Sequence, residues 1–153
     1  MTDVRLGAPG VAAAGELLTL QRAAYVTEAQ LYDDVRLPAL VQALDELAAE
    51  LATARCTGAW LDGRLVGAVR TREDDGVLHV GRLVVAPDLQ GRGIGSRLLR
   101  AAEEGTEAGT AALFTGHLST ANIRLYERNG YREHRREQVH PGLALVHLTK
   151  PLR

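Results

Sequence analysis

Apolar residues recur at two spacings along the chain, and the change from one to the other separates helices from strands. Over residues 11–32 they repeat at every third or fourth position, which is typical of an amphipathic helix. A second helix is predicted to begin at Pro38, because proline is favoured in the first turn of a helix and leucines recur at helical spacing from Leu40 to Leu51.

The rest of the chain alternates short apolar segments with turn residues and two further helices. Strands are predicted over residues 4–6, 56–61, 64–72, 77–86, 111–116, 131–139 and 143–148. Helices are predicted over residues 94–108 and 120–129. Asp62-Gly63, the segment 73–76 and Pro141-Gly142 are typical of tight turns. The predicted order is strand, two helices, three strands, helix, strand, helix and two strands.

Length and composition predict one domain over residues 1–153. With 153 residues, 46% of them hydrophobic, the chain is long enough for a sizeable core and too short for two full domains. The formal net charge of −1 gives no general attraction to nucleic acid or to an anionic membrane, so neither is expected as a partner. No apolar run approaches membrane-spanning length and the first residues lack a secretory signal pattern, so a cytoplasmic location is expected.

Cysteine usage narrows the chemistry further. The chain has one cysteine, Cys56, which excludes an internal disulfide and a cysteine-rich zinc site. We expect this thiol to be buried and unreactive, and we expect no metal ion.

The chemically most informative segment is the glycine-rich loop at residues 90–95, which follows a strand ending near Val85 and precedes a helix. Gly91, Gly93 and Gly95 let the backbone turn and approach a ligand closely, and the free N–H groups at a helix start attract phosphate. The loop lacks the lysine of a Walker motif, and its spacing departs from the Gly-x-Gly-x-x-Gly of dinucleotide folds. A pyrophosphate site is therefore expected, with a flexible strand-to-helix turn as the alternative.

Two motifs together resemble those of the GCN5-related N-acetyltransferases, the GNAT family. The first is Gln/Arg-x-x-Gly-x-Gly/Ala after a strand ending in Val-x-Pro, at residues 83–95, and the second is Asn-x-x-Leu-Tyr-x-x-x-Gly-Tyr at residues 122–131. The resemblance implies the fold of that family. This is an α/β (α+β) domain with a single mixed, mostly antiparallel sheet of about seven strands flanked by four helices.

The resemblance also implies a function. Acetyl-CoA would be the acetyl donor, and a primary amine would attack it directly in a ternary complex. Tyr126 resembles the general acid that protonates the leaving thiolate, with a core tyrosine as the alternative. The residues implied to bind acetyl-CoA are Leu83, Val84, Val85, Gln90, Gly91, Arg92, Gly93, Ile94, Gly95, Ser96 and Asn122. Arg97 is a further candidate for a phosphate contact.

The base that accepts the proton of the amine is not fixed by either motif. His79 precedes the loop on the strand where family members often carry a glutamate, and regular alternation would place it on the face of Leu83 and Val85. His117 follows the next predicted strand. Imidazole suits proton transfer near neutral pH, and a structural histidine is the alternative at both positions. Glu73 is a third candidate, or else part of a solvated turn.

The resemblance places the acceptor site at the first helices and their connection. The candidate residues are Tyr25, Glu28, Tyr32 and Asp33, with Asp34 beside them. Acidic and aromatic side chains would suit a cationic amine, and an exposed helix end is the alternative. The amine itself is left open, as is assembly into a homodimer. Two other functions also remain open, namely a regulatory module that binds acyl-CoA without turnover and a protein-interaction domain.

Overall fold

A seven-stranded mixed sheet forms the centre of the chain, which the computed structural model describes over residues 3–153. The strands are β1 (Arg5–Gly7), β2 (Arg55–Leu61), β3 (Arg64–Asp74), β4 (Val77–Val85), β5 (Thr110–Gly116), β6 (Arg132–His140) and β7 (Leu143–Pro151). Their order is β1-β2-β3-β4-β5-β7-β6, in which β4 and β5 are parallel and the other neighbours antiparallel. The predicted sheet is confirmed, while the first two positions of the predicted domain lie outside the described residues.

The helices are α1 (Ala14–Tyr32), α2 (Pro38–Val41), α3 (Leu44–Thr53), α4 (Ile94–Glu103) and α5 (Thr120–Arg128). The helix predicted from Pro38 is thus divided in two, because the backbone of Gln42 is extended, with ψ at 133°. The buried side chain of Gln42 accepts a hydrogen bond from Gln21 at 3.0 Å and donates one to Glu50 at 2.6 Å. These tertiary contacts outweigh the local preference for a continuous helix.

Helix α4 ends five residues earlier than the sequence predicts. Glu104 is extended and Gly105 has a φ of +77°, a conformation that glycine adopts without strain. The hydroxyl of Thr106 then accepts the N–H of Ala108 at 3.1 Å and donates to the carboxylate of Glu73. The segment after Glu103 is therefore a turn that ties the end of α4 to the β3–β4 hairpin.

The two faces of the sheet are covered by different helices. A Cβ at Gly67 would lie 2.9 Å from Leu98 of α4, whereas Arg70, three residues further along β3, donates to Gln21 of α1 at 2.8 Å. Residues three apart in a strand point to opposite faces, so α4 and α1 lie on opposite sides. No helix within residues 3–153 combines the length and the apolar character needed to cross a bilayer.

Strand β4 is irregular near its end, and this irregularity shapes the centre of the sheet. Its pairing with β3 shifts between Ala68 and Arg70, and Arg82 has a φ of +51°. An extra residue in one strand bends that strand and displaces the alternation of its side chains. Pairing with β5 covers only Val77–His79 of β4. Beyond it, β4 and β5 separate and leave an open cleft at their carboxyl ends.

Candidate active site

The glycine-rich loop lies beside this cleft and has the geometry of an anion cradle. Gly91 and Gly93 have φ values of +78° and +83°, and a Cβ at either position would meet no atom within 4 Å. Gly93 immediately precedes the first residue of α4, so the unpaired N–H groups of that helix begin at the loop. The backbone is thus exposed without side-chain obstruction at a positively polarised helix start.

Other residues of the loop segment face the protein. Ile94 is buried, and a Cβ at Gly95 would lie 3.1 Å from Leu125 of α5. Ser96 accepts a hydrogen bond from Asn129 at 3.0 Å. Gly95 and Ser96 therefore hold the start of α4 against α5 and its end, Ile94 packs toward Gly67 of β3, and the ligand-facing part of the loop is its first half.

The arginines near the loop take different directions. Arg92 is exposed, whereas the guanidinium of Arg97 donates to the carbonyl oxygen of Val4 at 3.1 Å. Arg97 is therefore engaged away from the loop, contrary to the expectation that it contacts phosphate. Arg64 and Asp88 form a two-bond ion pair at 2.8 and 2.9 Å that fixes the turn between β4 and the loop.

The cleft exposes backbone groups of β4. Ala86, just after β4, donates its N–H to the carbonyl of Val66 in β3, at 2.8 Å. Because successive residues of an extended strand direct their N–H groups to opposite sides, the N–H of Val85 points away from β3 and toward the cleft. Its carbonyl lies 3.4 Å from the side-chain nitrogen of Gln90. Val85 therefore offers a hydrogen-bond donor where the two strands have parted.

Helix α1 presents a polar stripe to the sheet, formed by Gln21, Tyr25, Glu28 and Tyr32. Spacings of three and four residues place these side chains on one face of the helix. Gln21 reaches Arg70 of β3, and Tyr32 reaches the start of α5. The stripe therefore crosses the sheet over the cleft between β4 and β5.

A chain of hydrogen bonds fixes Glu28 and Tyr32, the C-terminal half of this stripe. The N–H of Leu118 donates to the hydroxyl of Tyr32 at 3.0 Å, and that hydroxyl lies 2.7 Å from Oγ of Ser119. Ser119 in turn donates to Oε2 of Glu28 at 2.5 Å, and Asn122 donates to Oε1 at 3.0 Å. Both carboxylate oxygens of Glu28 are thereby held in position, and Asn122 is engaged with that carboxylate.

Tyr126 of α5 lies buried beside the stripe. Its ring is 6.2 Å from that of Tyr131, edge to face. Burial raises the pKa of the Tyr126 hydroxyl above its ordinary value, and the nearby Tyr25 and Glu28 raise it further. A phenol with a raised pKa stays protonated at neutral pH, so Tyr126 can act as a proton donor but not as a base.

Comparison with known proteins agrees with these features. The sequence-family model of the acetyltransferase (GNAT) domain matches residues 28–152, a range that includes the loop, the cleft and α5. The chain belongs to the GNAT family of acetyltransferases. Members of this family take the acetyl group from acetyl-CoA, and both GNAT motifs lie at the cleft.

Relatives of known structure share the GNAT fold over the whole length. PaiA N-acetyltransferase from Thermoplasma acidophilum, solved in complex with coenzyme A, is 16% identical with a TM-score of 0.79, covering 98% of this chain and 99% of its own. The ribosomal-protein-S18-alanine N-acetyltransferase of Escherichia coli is also 16% identical, with a TM-score of 0.80 and coverage of 98% and 94%. The UPF0157 protein YqkA of Bacillus subtilis is 28% identical over 133 residues, or 86% of this chain, which spans 38% of the length of that relative.

The structure places the two histidines considered as bases at different points of the sheet. His79 pairs with Arg72 and Ala112, in the part of β4 that still contacts β5. The bulge also places it on the face of Val84, so the expectation that it shares a face with Leu83 and Val85 is wrong. The correction follows from the extra residue at the bulge, which reverses the alternation.

His117 and Glu73 are both engaged in structural contacts. Nδ1 of His117 lies 3.0 Å from the backbone nitrogen of Ala144, whose N–H it accepts, and the ring packs 6.0 Å from Tyr32. Glu73 accepts the hydroxyl of Thr106 at the β3–β4 turn, at the opposite end of β4 from the loop. An open depression of about 430 Å³ lies at that end and is lined by Thr53, Ala54, Arg55, Thr71, Arg72 and Glu73.

The acidic residues after α1 do not join the polar stripe. Asp33 has a φ of +48° at the end of the helix and is exposed, and Asp34 accepts the N–H of Arg36 at 2.8 Å. Of the predicted acceptor residues, the structure therefore brings together Tyr25, Glu28 and Tyr32. Within residues 3–153 there is no group of His, Cys, Asp and Glu side chains arranged to hold a metal ion.

Proposed function

We propose that this GNAT domain transfers an acetyl group from acetyl-CoA to a primary amine by direct attack in a ternary complex. The observation that carries the proposal is the cleft between β4 and β5, which opens beside a glycine loop at a helix start. Gly91 and Gly93 would receive the pyrophosphate, and the backbone of Leu83–Val85 would line the path of the thioester. The polar stripe would hold the amine on the other side of the cleft.

The chain's own residues supply the proton transfers and the polarity. Acetyl-CoA, when bound, supplies the acetyl group as a thioester. The amine nitrogen forms a bond to the acetyl carbon, and the N–H of Val85 stabilises the negative charge that develops on the carbonyl oxygen. The carbon–sulfur bond then breaks, Tyr126 protonates the sulfur, and the products are an N-acetyl amine and free CoA.

Glu28 is the proposed acceptor of the amine proton. It is the carboxylate of the stripe, it lies near Tyr126, and its two oxygens are oriented by Ser119, just before α5, and by Asn122 within α5. A carboxylate held in this way keeps a fixed direction toward the cleft. In this role it takes the place that the sequence suggested for His79 or His117.

The experiment compares Glu28→Gln with the control Asp33→Asn. Each variant removes one negative charge, from within α1 in the first and from the residue that ends it in the second. CoA release from acetyl-CoA is followed with a thiol reagent against a panel of primary amines, and acetyl-CoA affinity is measured by calorimetry. We expect Glu28→Gln to lower kcat about 100-fold or more while leaving acetyl-CoA affinity unchanged. Asp33→Asn should behave as the unmodified protein.

Two results would count against this assignment. Equal turnover in the Glu28→Gln variant and the unmodified protein would remove Glu28 from the chemistry. Tight binding of acetyl-CoA without acetylation of any amine would instead favour the regulatory module, and absence of binding at millimolar concentration would favour an interaction domain.

A further inference from the structure

Arg82 occupies an unusual position at the centre of the proposed acceptor site. It sits in the bulge of β4 with a φ of +51°, a left-handed conformation that an arginine adopts only with strain. Its positive charge acts on Tyr25 of the polar stripe and on Arg70 of β3, so Arg82 lies on the side of the sheet that α1 covers. Strained backbone of this kind is retained mainly where a side chain has to be directed to a particular place.

Among the described residues, Arg82 has no carboxylate partner, whereas the nearby Arg70 does. Glu50 lies 3.4 Å from Nη1 of Arg70, and Gln21 accepts from Nη2 at 2.8 Å. No aspartate or glutamate within residues 3–153 forms an ion pair with Arg82, and the positive charges of the two arginines oppose each other. Arg82 is therefore a partly buried cation with free hydrogen-bonding capacity.

Open space adjoins this cation. Gly81 pairs with Arg70 across β3 and β4, which places the Cα–Cβ direction of residue 81 on the side of the sheet that α1 covers. A Cβ at Gly81 would nevertheless meet no atom within 4 Å, and Gly81 is exposed to solvent. A small molecule can therefore approach Arg82 beside α1.

We propose that Arg82 binds a carboxylate of the acceptor, so that the acceptor is a small amine that also carries a carboxylate, such as a free amino acid. This rests on the proposed acetyl transfer. Tyr25 and Glu28 are three residues apart on α1, so their side chains are about 5 to 6 Å apart at Cβ. The acceptor then lies with its carboxylate at Arg82 and its amine at Glu28. Guanidinium and carboxylate match in shape and form two parallel hydrogen bonds.

The test uses the twenty free α-amino acids and their α-carboxamides, which keep the amine and the side chain but remove the negative charge. We expect at least one amino acid to be acetylated with a kcat/KM about 10- to 100-fold higher than its carboxamide, the effect of one charge-assisted pair. The carboxamides are weaker bases and offer more free amine at neutral pH, which works against the expected preference.

Arg82→Gln should abolish this preference by raising the KM for the amino acid, and Arg82→Lys should restore part of it. Arg72→Gln is the matched control, because Arg72 is an exposed arginine near the β3–β4 turn and its charge is paired with Asp74 at 3.5 Å. Acetyl-CoA affinity, measured by calorimetry, should be the same in all variants, which distinguishes acceptor recognition from loss of folding.

The outcomes separate this inference from the proposed function. Acetylation without preference for the carboxylate, or a preference that survives Arg82→Gln, would overturn the role of Arg82 and leave acetyl transfer intact. Acetylation only of amines that carry no carboxylate would also overturn the role of Arg82 and leave acetyl transfer intact. Absence of acetylation with every acceptor would overturn the proposed function and this inference together.

Discussion

Gly116→Ala tests whether the contact between α1 and the end of β5 positions the acceptor side of the site. A Cβ at this position would lie 2.0 Å from the hydroxyl oxygen of Tyr32 and 2.4 Å from its Cζ. Side-chain atoms do not approach this closely, and Cζ is part of a rigid ring. The ring of Tyr32 therefore has to leave its place, and the hydrogen bonds of its hydroxyl leave with it.

The size of the effect follows from the contacts that are lost. The Tyr32 hydroxyl accepts from the N–H of Leu118 and bonds to Ser119, and each bond contributes about 1 kcal/mol to stability. Tyr32 is only half-buried, so its ring can turn toward solvent rather than strain the core. We expect the free energy of unfolding to fall by about 2 kcal/mol, which lowers Tm by about 4 to 8 °C for a chain of this size.

Unfolding is followed by urea titration and by heating, with the fluorescence of the single tryptophan, Trp60, as the probe. Gly109→Ala is the matched control, because Gly109 immediately precedes β5 and a Cβ there would meet no atom within 4 Å. Gly116→Ala should also raise the KM for an amine, since the Tyr32 hydroxyl no longer positions Ser119, which donates to Glu28, and it should leave acetyl-CoA affinity unchanged.

A double variant isolates the steric effect of the added Cβ. In a Tyr32→Leu background the obstructing ring is gone, so Gly116→Ala should change the free energy of unfolding by no more than about 0.5 kcal/mol. Equal stability of Gly116→Ala and Gly109→Ala would refute the argument. So would a cost in the Tyr32→Leu background as large as in the original chain.

Two further predictions concern buried hydroxyl and thiol groups. Tyr126→Phe should lower kcat about 100-fold while acetyl-CoA affinity, measured by calorimetry, stays the same; unchanged turnover with chemistry rate-limiting would make Tyr126 a packing residue. Burial raises the pKa of the Cys56 thiol from 9.0 to about 11, so the stability that depends on its neutral form is complete below about pH 9 and is lost as the pH rises toward 11. Thermal unfolding between pH 7 and 11 should show this loss, and Cys56→Ala should reduce it; an identical pH dependence in that variant would contradict the assignment.

The geometry of the glycine-rich loop could be predicted from the sequence because its features are local. The glycines of the loop, the strand before it and the helix after it are contiguous in the chain, and each follows from backbone requirements at that point. The order of helices and strands along the chain likewise follows from the spacing of apolar positions, and the single mixed sheet follows from the family resemblance. The helix predicted from Pro38 failed at Gln42, since its break depends on partners 8 and 21 residues away.

The acceptor side could not be predicted in the same way, because its residues become neighbours only in the fold. Arg82 immediately precedes the first motif but has no distinctive neighbours in sequence, and its direction depends on a bulge that the alternating pattern does not reveal. The same bulge moved His79 to the other face. The family resemblance places Asp33 beside Glu28 in the acceptor site, although the left-handed turn at the end of α1 directs the backbone away.

The two sequence motifs occur together because α5 joins the two sides of the site. Leu125 fills the space that Gly95 leaves at the start of α4, so the position of α5 is set by the loop segment. One turn away, Asn122 orients the carboxylate of Glu28 on the acceptor side. Tyr126 lies between these contacts and near Glu28. A substitution at Gly95 would therefore displace the proposed acid and the proposed base as well as the anion cradle, which explains why a glycine buried within the protein belongs to a motif otherwise concerned with phosphate.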